Sequence, residues 1–330
     1  MTTIRIATRR SKLALWQTRW VAEHLRAQAP DLRVEEVHVV TEGDRVTDRP
    51  LHRVGGKGLF VSEVEAYVAR GEADLAVHSL KDVPGDVDLA EGCELLCVPK
   101  REDPRDVLLT RDGAELMALS AGARVGTVSP RRVCQLRGHR PDLAYETLRG
   151  NVPTRLGRLD AGDFDAIVLA AAGLRRLGLL EGRPHQVLSP DTCLPAVGQG
   201  TLAIEGRADD ARLRALLAPL EHGPTRLVTT AERAMLRRLQ GSCRVPIAGF
   251  AELVDGGQRL RLRALVGDPD GERRLTASSD VYLEARDHQA RIDEARRLGE
   301  EVAEALIARG SRELMREAEA AAMRRTRGLN

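Results

Sequence analysis

Long apolar runs, aromatic rings and lysine are all scarce in this 330-residue chain. No stretch of about eighteen apolar residues occurs, so no helix is expected to span a bilayer. Two Trp, three Tyr and three Phe are too few to stack successive bases of a single strand. A formal net charge of +2 leaves little cationic excess for a duplex backbone, so neither nucleic acid nor membrane is expected as a partner. The five cysteines (Cys93, Cys97, Cys134, Cys193 and Cys243) are odd in number and do not form a disulfide framework. No His or Cys stands near Cys93 and Cys97 at metal-ligand spacing, and no metal is expected. The first residues lack a basic stretch followed by an apolar one, which excludes a secretory signal and predicts a reducing, cytoplasmic setting.

What is present is 42% hydrophobic and 30% charged, enough for sizeable cores in two or three domains. Of the 51 basic residues, four are lysine (Lys12, Lys57, Lys81, Lys100) and 47 arginine. A GC-rich genome accounts for the bulk ratio, yet three of the lysines fall in Gly-rich or charged motifs, where a compact ammonium has its own uses. Hydrophobic periodicity predicts strands at Ile4–Thr8, Val34–Val40 and Asp74–Ser79, with helices between them after Ser11 and over Gly58–Arg70. After a charged break at Lys100–Arg105 the pattern restarts, with strands at Arg124–Thr127, Ala144–Leu148 and Ala166–Ala170 and helices at Pro130–Arg137 and Val152–Ala161. Leu202–Glu205 is a further strand. Such alternation argues for mainly parallel sheets with ligand-binding rims at the strand C-termini. The last third changes character: a helix over Pro224–Leu239, a meander of Ile247–Leu253, Arg259–Val266 and Arg274–Leu283, and an amphipathic helix over Ala290–Ala308. Residues Ser311–Asn330 read as a charged, alanine-rich tail, a frayed or surface helix. No internal repeat is visible.

Charge sits at loops and helix starts in four places. Arg9-Arg10-Ser11 ends the first strand and is either an anion site at a helix N-terminus or a plain serine cap. Gly55-Gly56-Lys57-Gly58-Leu59-Phe60 is a ligand-approaching loop or a simple flexible turn, and not a Walker A sequence. Lys81 and Asp82, after the third strand, are a surface ion pair or a rim site. Arg131-Arg132, Arg149 with Arg155, and Arg175-Arg176 each follow a strand; they form a carboxylate or phosphate cradle, or reflect chance in an arginine-rich chain. Cys243, in Gln240-Gly241-Ser242-Cys243-Arg244, is an activated loop thiol or an inert one.

Taken in order, these segments resemble the porphobilinogen deaminase family: Ile6–Ala14, Gly55–Val61, Ala76–Pro84, Gly126–Arg132, Leu148–Arg155, Ala170–Leu179, Pro195–Gly200 and the Cys243 loop. The resemblance implies an α/β fold of two periplasmic-binding-protein-like lobes with mainly parallel sheets, and a small C-terminal α+β domain with a three-stranded antiparallel sheet. Domain 1 would be residues 1–98 and 200–218, domain 2 residues 99–199 and domain 3 residues 219–310, followed by a tail over 311–330. It implies hydroxymethylbilane synthase activity, in which four porphobilinogen molecules are condensed head to tail with loss of four ammonia and the product is freed by hydrolysis. The cofactor implied is a dipyrromethane joined to Cys243 as a thioether, one per chain, contacted by Lys81, Ser129, Arg131, Arg132 and the catalytic Asp82. Arg9, Ser11, Gln17, Arg149, Arg155, Arg176 and Gln199 would bind porphobilinogen and the growing oligopyrrole, and Lys57 and Phe60 would belong to a flexible loop. A monomer is implied. The sequence departs from the family pattern at Ser242, Arg244, Pro130 and Pro153.

Overall fold

A computed structural model describes residues 3–40, 61–85, 88–241, 245–284 and 287–327. The chain divides into two compact units, Met1–Glu102 with Thr201–Arg226, and Asp103–Gly200 with Leu227–Asn330.

In the first unit, strands β1 (Thr3–Arg9), β2 (Arg33–Val39), β3 (Leu75–Ser79), β4 (Cys93–Cys97) and β10 (Leu202–Arg207) form one sheet in the order β2-β1-β3-β10-β4. β1 is parallel to β2 and β3, whereas β10 runs antiparallel to both its neighbours. Alternation along β1 sends Ile4 and Ile6 to one core and Ala7 to another. Helix α1 (Lys12–Gln28) covers the first face with Val21, Ala22 and Leu25, and α2 (Ser62–Ala69) covers the second with Val64 and Val68.

The second unit repeats this plan in its first half. Strands β5 (Asp106–Thr110), β6 (Arg124–Gly126), β7 (Ala144–Glu146), β8 (Ala166–Ala170) and β9 (His185–Val187) lie in the order β7-β6-β8-β5-β9. β6 is parallel to β7 and β8, and β5 is antiparallel to β8 and β9. Each sheet thus has its second, first and third parallel strands, then one reversed strand next to a chain crossing, then a fourth. This shared plan is absent from the sequence pattern because β5 and β10 enter from opposite crossings. Helices α3 (Pro130–Arg137), α4 (Val152–Asp160) and α5 (Ala171–Arg176) follow β6, β7 and β8. The strand β5 was not legible from periodicity. It follows the charged Lys100–Arg105 run directly, and only Val107, Leu108 and Leu109 are apolar.

Helix α6 (Ala211–Leu217) packs in the first unit, and α7 (Gly223–Leu239) passes from one unit's residues to the other's. Strands β11 (Ile247–Val254), β12 (Arg259–Gly267) and β13 (Arg274–Tyr282) form an antiparallel meander, backed by α8 (His288–Ala308). Helix α8 comes close to α7 at Gly299, where a Cβ would lie 2.3 Å from the Ala231 carbonyl oxygen. The tail is not frayed: Ser311–Arg327 form helix α9, whose Leu314, Met315 and Ala318 join the core beneath the meander. Its positions i, i+1 and i+4 make one apolar stripe, and that burial outweighs the charged remainder. Leu314→Ala is expected to cost about 2–4 kcal/mol in urea titration followed by the helical signal. A loss under about 0.5 kcal/mol would mean that α9 only rests on the surface.

Candidate functional site

In the first unit, two adjacent parallel strands deliver polar groups at their C-terminal ends. β1 closes on Arg9, and Ser11 caps α1, its Oγ accepting from the Ala14 N–H at 3.3 Å. Gln17, buried on α1, donates from Nε2 to Ser79 Oγ at the end of β3, 2.8 Å away. The chain then makes one 3₁₀ turn over Leu80–Asp82, with the Leu80 N–H donating to the Thr201 carbonyl at 2.9 Å. Leu80 and Val83 are buried, so the two residues between them, Lys81 and Asp82, are turned to solvent. Behind this turn, His78 Nε2 and Glu205 Oε2 pair across β3 and β10 at 2.8 Å, both side chains buried.

In the second unit, β7, β6 and β8 are neighbours and parallel, so their C-terminal ends share one edge of the sheet. After β6, Ser129 stands at the N-cap of α3 without a capping bond from its hydroxyl, and Pro130 opens the helix where its missing N–H costs nothing. Arg131 and Arg132 follow, both buried. After β7 come the exposed Arg149 and, on α4, Arg155, which donates from Nε to the Gly150 carbonyl at 2.7 Å. Pro153 likewise occupies the first turn of its helix. After β8, Arg176 ends α5 and donates to the Gly200 carbonyl at 2.7 Å.

One carboxylate organises this edge, and it lies on β5. Asp106 is completely buried; its Oδ2 pairs with Arg131 at 2.7 Å and its Oδ1 with Arg132 at 2.7 Å. Gln199, also buried, donates from Nε2 to Asp106 Oδ1 at 2.9 Å and to the Pro104 carbonyl at 2.7 Å. Burial pushes the Asp106 carboxyl up, but the two guanidiniums outweigh burial and hold it far below the usual carboxylate range. Arg155 is the opposite case. Burial first, and the neighbouring Arg132 second, lower its guanidinium to about 10. No carboxylate pairs with Arg155 among the described residues. Three guanidiniums against one carboxylate leave an excess of positive charge, which suits a ligand bearing several carboxylates.

The same unit ties this edge to the meander. Glu232, fully buried on α7, accepts from the Gly198 N–H at 2.7 Å and the Ala251 N–H at 2.8 Å. The Gly249 N–H donates to the Pro195 carbonyl at 3.1 Å. The segment around Pro195–Gly200 is thereby joined to β11 and to the helix leading toward the Cys243 segment. Lys57, Phe60 and Cys243, with Ser242 and Arg244, lie outside the described residues. The sequence reading missed Asp106, Glu205 and Glu232. Asp106 directly follows a charged stretch, whereas Glu205 and Glu232 have apolar residues just before them; the signal available was the position of each inside a strand or helix face otherwise destined for burial.

The four described thiols are poor nucleophiles. Burial raises Cys97, Cys134 and Cys193 to about 12 and Cys93 to about 11. Among the described residues no group of three or more His, Cys, Asp or Glu could hold a metal. The folded Cys243→Ser variant is therefore expected to show no fast-reacting thiol toward Ellman's reagent at pH 8, and four once denatured. A rapid reaction of the native variant would contradict these thiol environments.

Comparison with known proteins bears on most of the chain. Residues 4–215 match "Porphobilinogen deaminase, dipyromethane cofactor binding domain", and residues 227–308 match "Porphobilinogen deaminase, C-terminal domain". Helix α9 lies beyond the second match. Among solved structures, the periplasmic VFT2 domain of Bordetella pertussis BvgS is 15% identical, with 65% of this chain and 85% of that one covered and a TM-score of 0.38. The sulfate-bound regulatory domain of a Vibrio vulnificus OxyR2 mutant is 12% identical, with 67% and 96% covered and a TM-score of 0.40. Likenesses so distant carry no argument; the family match does. The three sheets, the arginine-bearing strand ends and the two matched domains belong together: this chain is a member of the porphobilinogen deaminase family, the dipyrromethane-dependent hydroxymethylbilane synthases of tetrapyrrole biosynthesis.

Proposed function

We propose that the chain condenses four porphobilinogen molecules head to tail on a dipyrromethane primer held by Cys243, releasing four ammonia and then linear hydroxymethylbilane by hydrolysis. The observation that carries this reading is the excess of guanidinium charge at the β6–β7 edge, above all Arg155 beside Arg132, with no carboxylate paired to it among the described residues. A dipyrromethane bears four carboxylates and every added pyrrole bears two more, so the reaction requires fixed, bidentate cations. The donor set fits such a group. Arg131, Arg132 and Ser129, with Lys81, would hold the primer's carboxylates; Arg9, Ser11, Arg149, Arg155 and Arg176 would hold those of the substrate. When bound, the dipyrromethane supplies the free pyrrole carbon from which the chain grows.

Asp82 is assigned the chemistry. In each cycle the C–N bond of the porphobilinogen aminomethyl group breaks and ammonia departs. With the primer bound, its free pyrrole carbon would take the new C–C bond, and a residue of this chain must accept the proton lost there. A carboxylate accepting from pyrrole N–H groups stabilises positive charge as it develops, and it can take the proton released at the attacked carbon. Asp82 stands on a turn anchored by buried Leu80 and Val83, so its backbone is fixed while its side chain reaches outward. Gln17, buried and donating to Ser79 Oγ, braces the strand end that leads into this turn, and Gln199, also buried, is bonded to Asp106 and the Pro104 carbonyl within the second unit. Lys57 and Phe60 are assigned to a covering loop. We further propose a cytoplasmic monomer with three domains, at residues 1–98 with 200–218, 99–199 and 219–310.

Asp82→Ala is expected to lower porphobilinogen consumption by about 10²-fold or more while leaving the bound primer in place, and Asp82→Glu to retain a trace. Wild-type rates in the alanine variant would refute the assignment. Intact-protein mass should exceed the sequence mass by two linked pyrrole units, and Cys243→Ser should lack that increment; an increment persisting in the serine variant would remove Cys243 as the anchor.

A further inference from the structure

The buried Asp106 carboxylate is saturated. Its Oδ1 accepts from Arg132 Nε at 3.0 Å, from Arg132 Nη2 at 2.7 Å and from Gln199 Nε2 at 2.9 Å. Its Oδ2 pairs with Arg131 Nη2 at 2.7 Å and accepts from Cys193 Sγ at 3.4 Å. Five donors on a group with about four lone-pair sites leave no room for a ligand or a proton in transit. Asp106 therefore acts, if at all, through its partners. Those partners are braced a second time: Arg131 Nη1 donates to the Leu194 carbonyl at 2.7 Å, and Arg132 Nη1 to the Val168 carbonyl at 2.9 Å. Each guanidinium plane is thus fixed by the carboxylate on one side and a backbone carbonyl on another. The remaining N–H groups of each fork are held in set directions.

Two further features give the arrangement a purpose beyond packing. Side by side and unneutralised, Arg131 and Arg132 would repel one another in a site with little water; one carboxylate shared between them offsets that repulsion. Gln199 links Asp106 to the Pro104 carbonyl. Pro104 and Gln199 lie within two residues of the places where the chain crosses between its units, at Glu102–Asp103 and Gly200–Thr201. One knot therefore fixes both crossing segments of the second unit and the two arginines together.

We propose that Asp106 is a positioning residue, which aims Arg131 and Arg132 at the carboxylates of the dipyrromethane primer and sets the net charge they present. The proposal rests on the function given above. Asp106→Asn keeps the shape, removes the charge and turns a donor toward a guanidinium. Gln199→Leu leaves both ion pairs intact and removes only the neutral brace.

The test measures primer loading by intact-protein mass, the thermal midpoint, and KM and kcat for porphobilinogen, on proteins purified as expressed. Folded Asp106→Asn is expected to carry primer on no more than about one chain in ten, because removing the shared carboxylate leaves two buried guanidiniums uncompensated. Gln199→Leu is expected to load, but with KM raised about tenfold and kcat nearly unchanged, a split that lowered stability alone does not produce. If Asp106→Asn fails to fold, the Gln199→Leu split decides. Full loading of folded Asp106→Asn, or a Gln199→Leu enzyme with a lower midpoint and wild-type KM, would overturn the proposal. Absence of the pyrrole increment from the wild-type protein would instead overturn the function on which it rests.

Discussion

Bringing several guanidinium groups close enough to grip one ligand is electrostatically unfavourable, and the second unit is built around that constraint. Like charges a few ångströms apart repel most strongly where water is excluded, which is also where they bind carboxylates best. The fold resolves this with one completely buried acid. Asp106 neutralises part of the charge of Arg131 and Arg132, while Arg155 is left without such relief and its guanidinium falls to about 10. What remains is a graded cation site, firmly held at one end and under-neutralised at the other. Such a site is suited to a polyanionic ligand.

The position of that site follows from strand order. Parallel strands put all their C-terminal ends on one edge, and β7, β6 and β8 are adjacent, so residues far apart in sequence converge there. The reversed strand β5 is what makes convergence useful, because it starts where the others end and brings Asp106 to the same edge. In the first unit β10 occupies the corresponding place and contributes Glu205, paired with His78. Both units thus set a buried acid on the strand that runs against the rest. In the first, it lies behind the turn bearing Lys81 and Asp82; in the second, behind the arginines.

Much of this was legible in the amino-acid order. Ala166–Ala170 is a strand with the limits its apolar run implies, helices run over Pro130–Arg137 and Val152–Asp160 much as expected, and the three runs of the meander pair as the turn residues at Asp255-Gly256-Gly257 and Gly271 suggest. Arginines placed after strands were visible as a pattern. Their counter-ion was not, since an aspartate after Lys100–Arg105 reads as the end of a charged stretch and not as the first residue of a core strand. Burial of a charge depends on partners distant in sequence, and periodicity carries no record of them. The tail misled for the converse reason: its alanines and charges suggest exposure, whereas Leu314 and Met315 suffice to seat it on the core.

Glu232 and the Pro195–Gly200 segment link the arginine edge to the meander, so the helix leading to Cys243 and the arginines of that edge belong to one unit. The central claim is growth of a pyrrole chain on that anchor. It is tested most directly by mass spectrometry of the intact protein after brief exposure to limiting porphobilinogen. The account predicts a ladder of species above the resting mass, each step larger by one porphobilinogen less one ammonia, and a return to the resting mass only when further substrate carries each chain through its fourth addition and hydrolysis. A single unchanged mass throughout, at any substrate ratio, would contradict it.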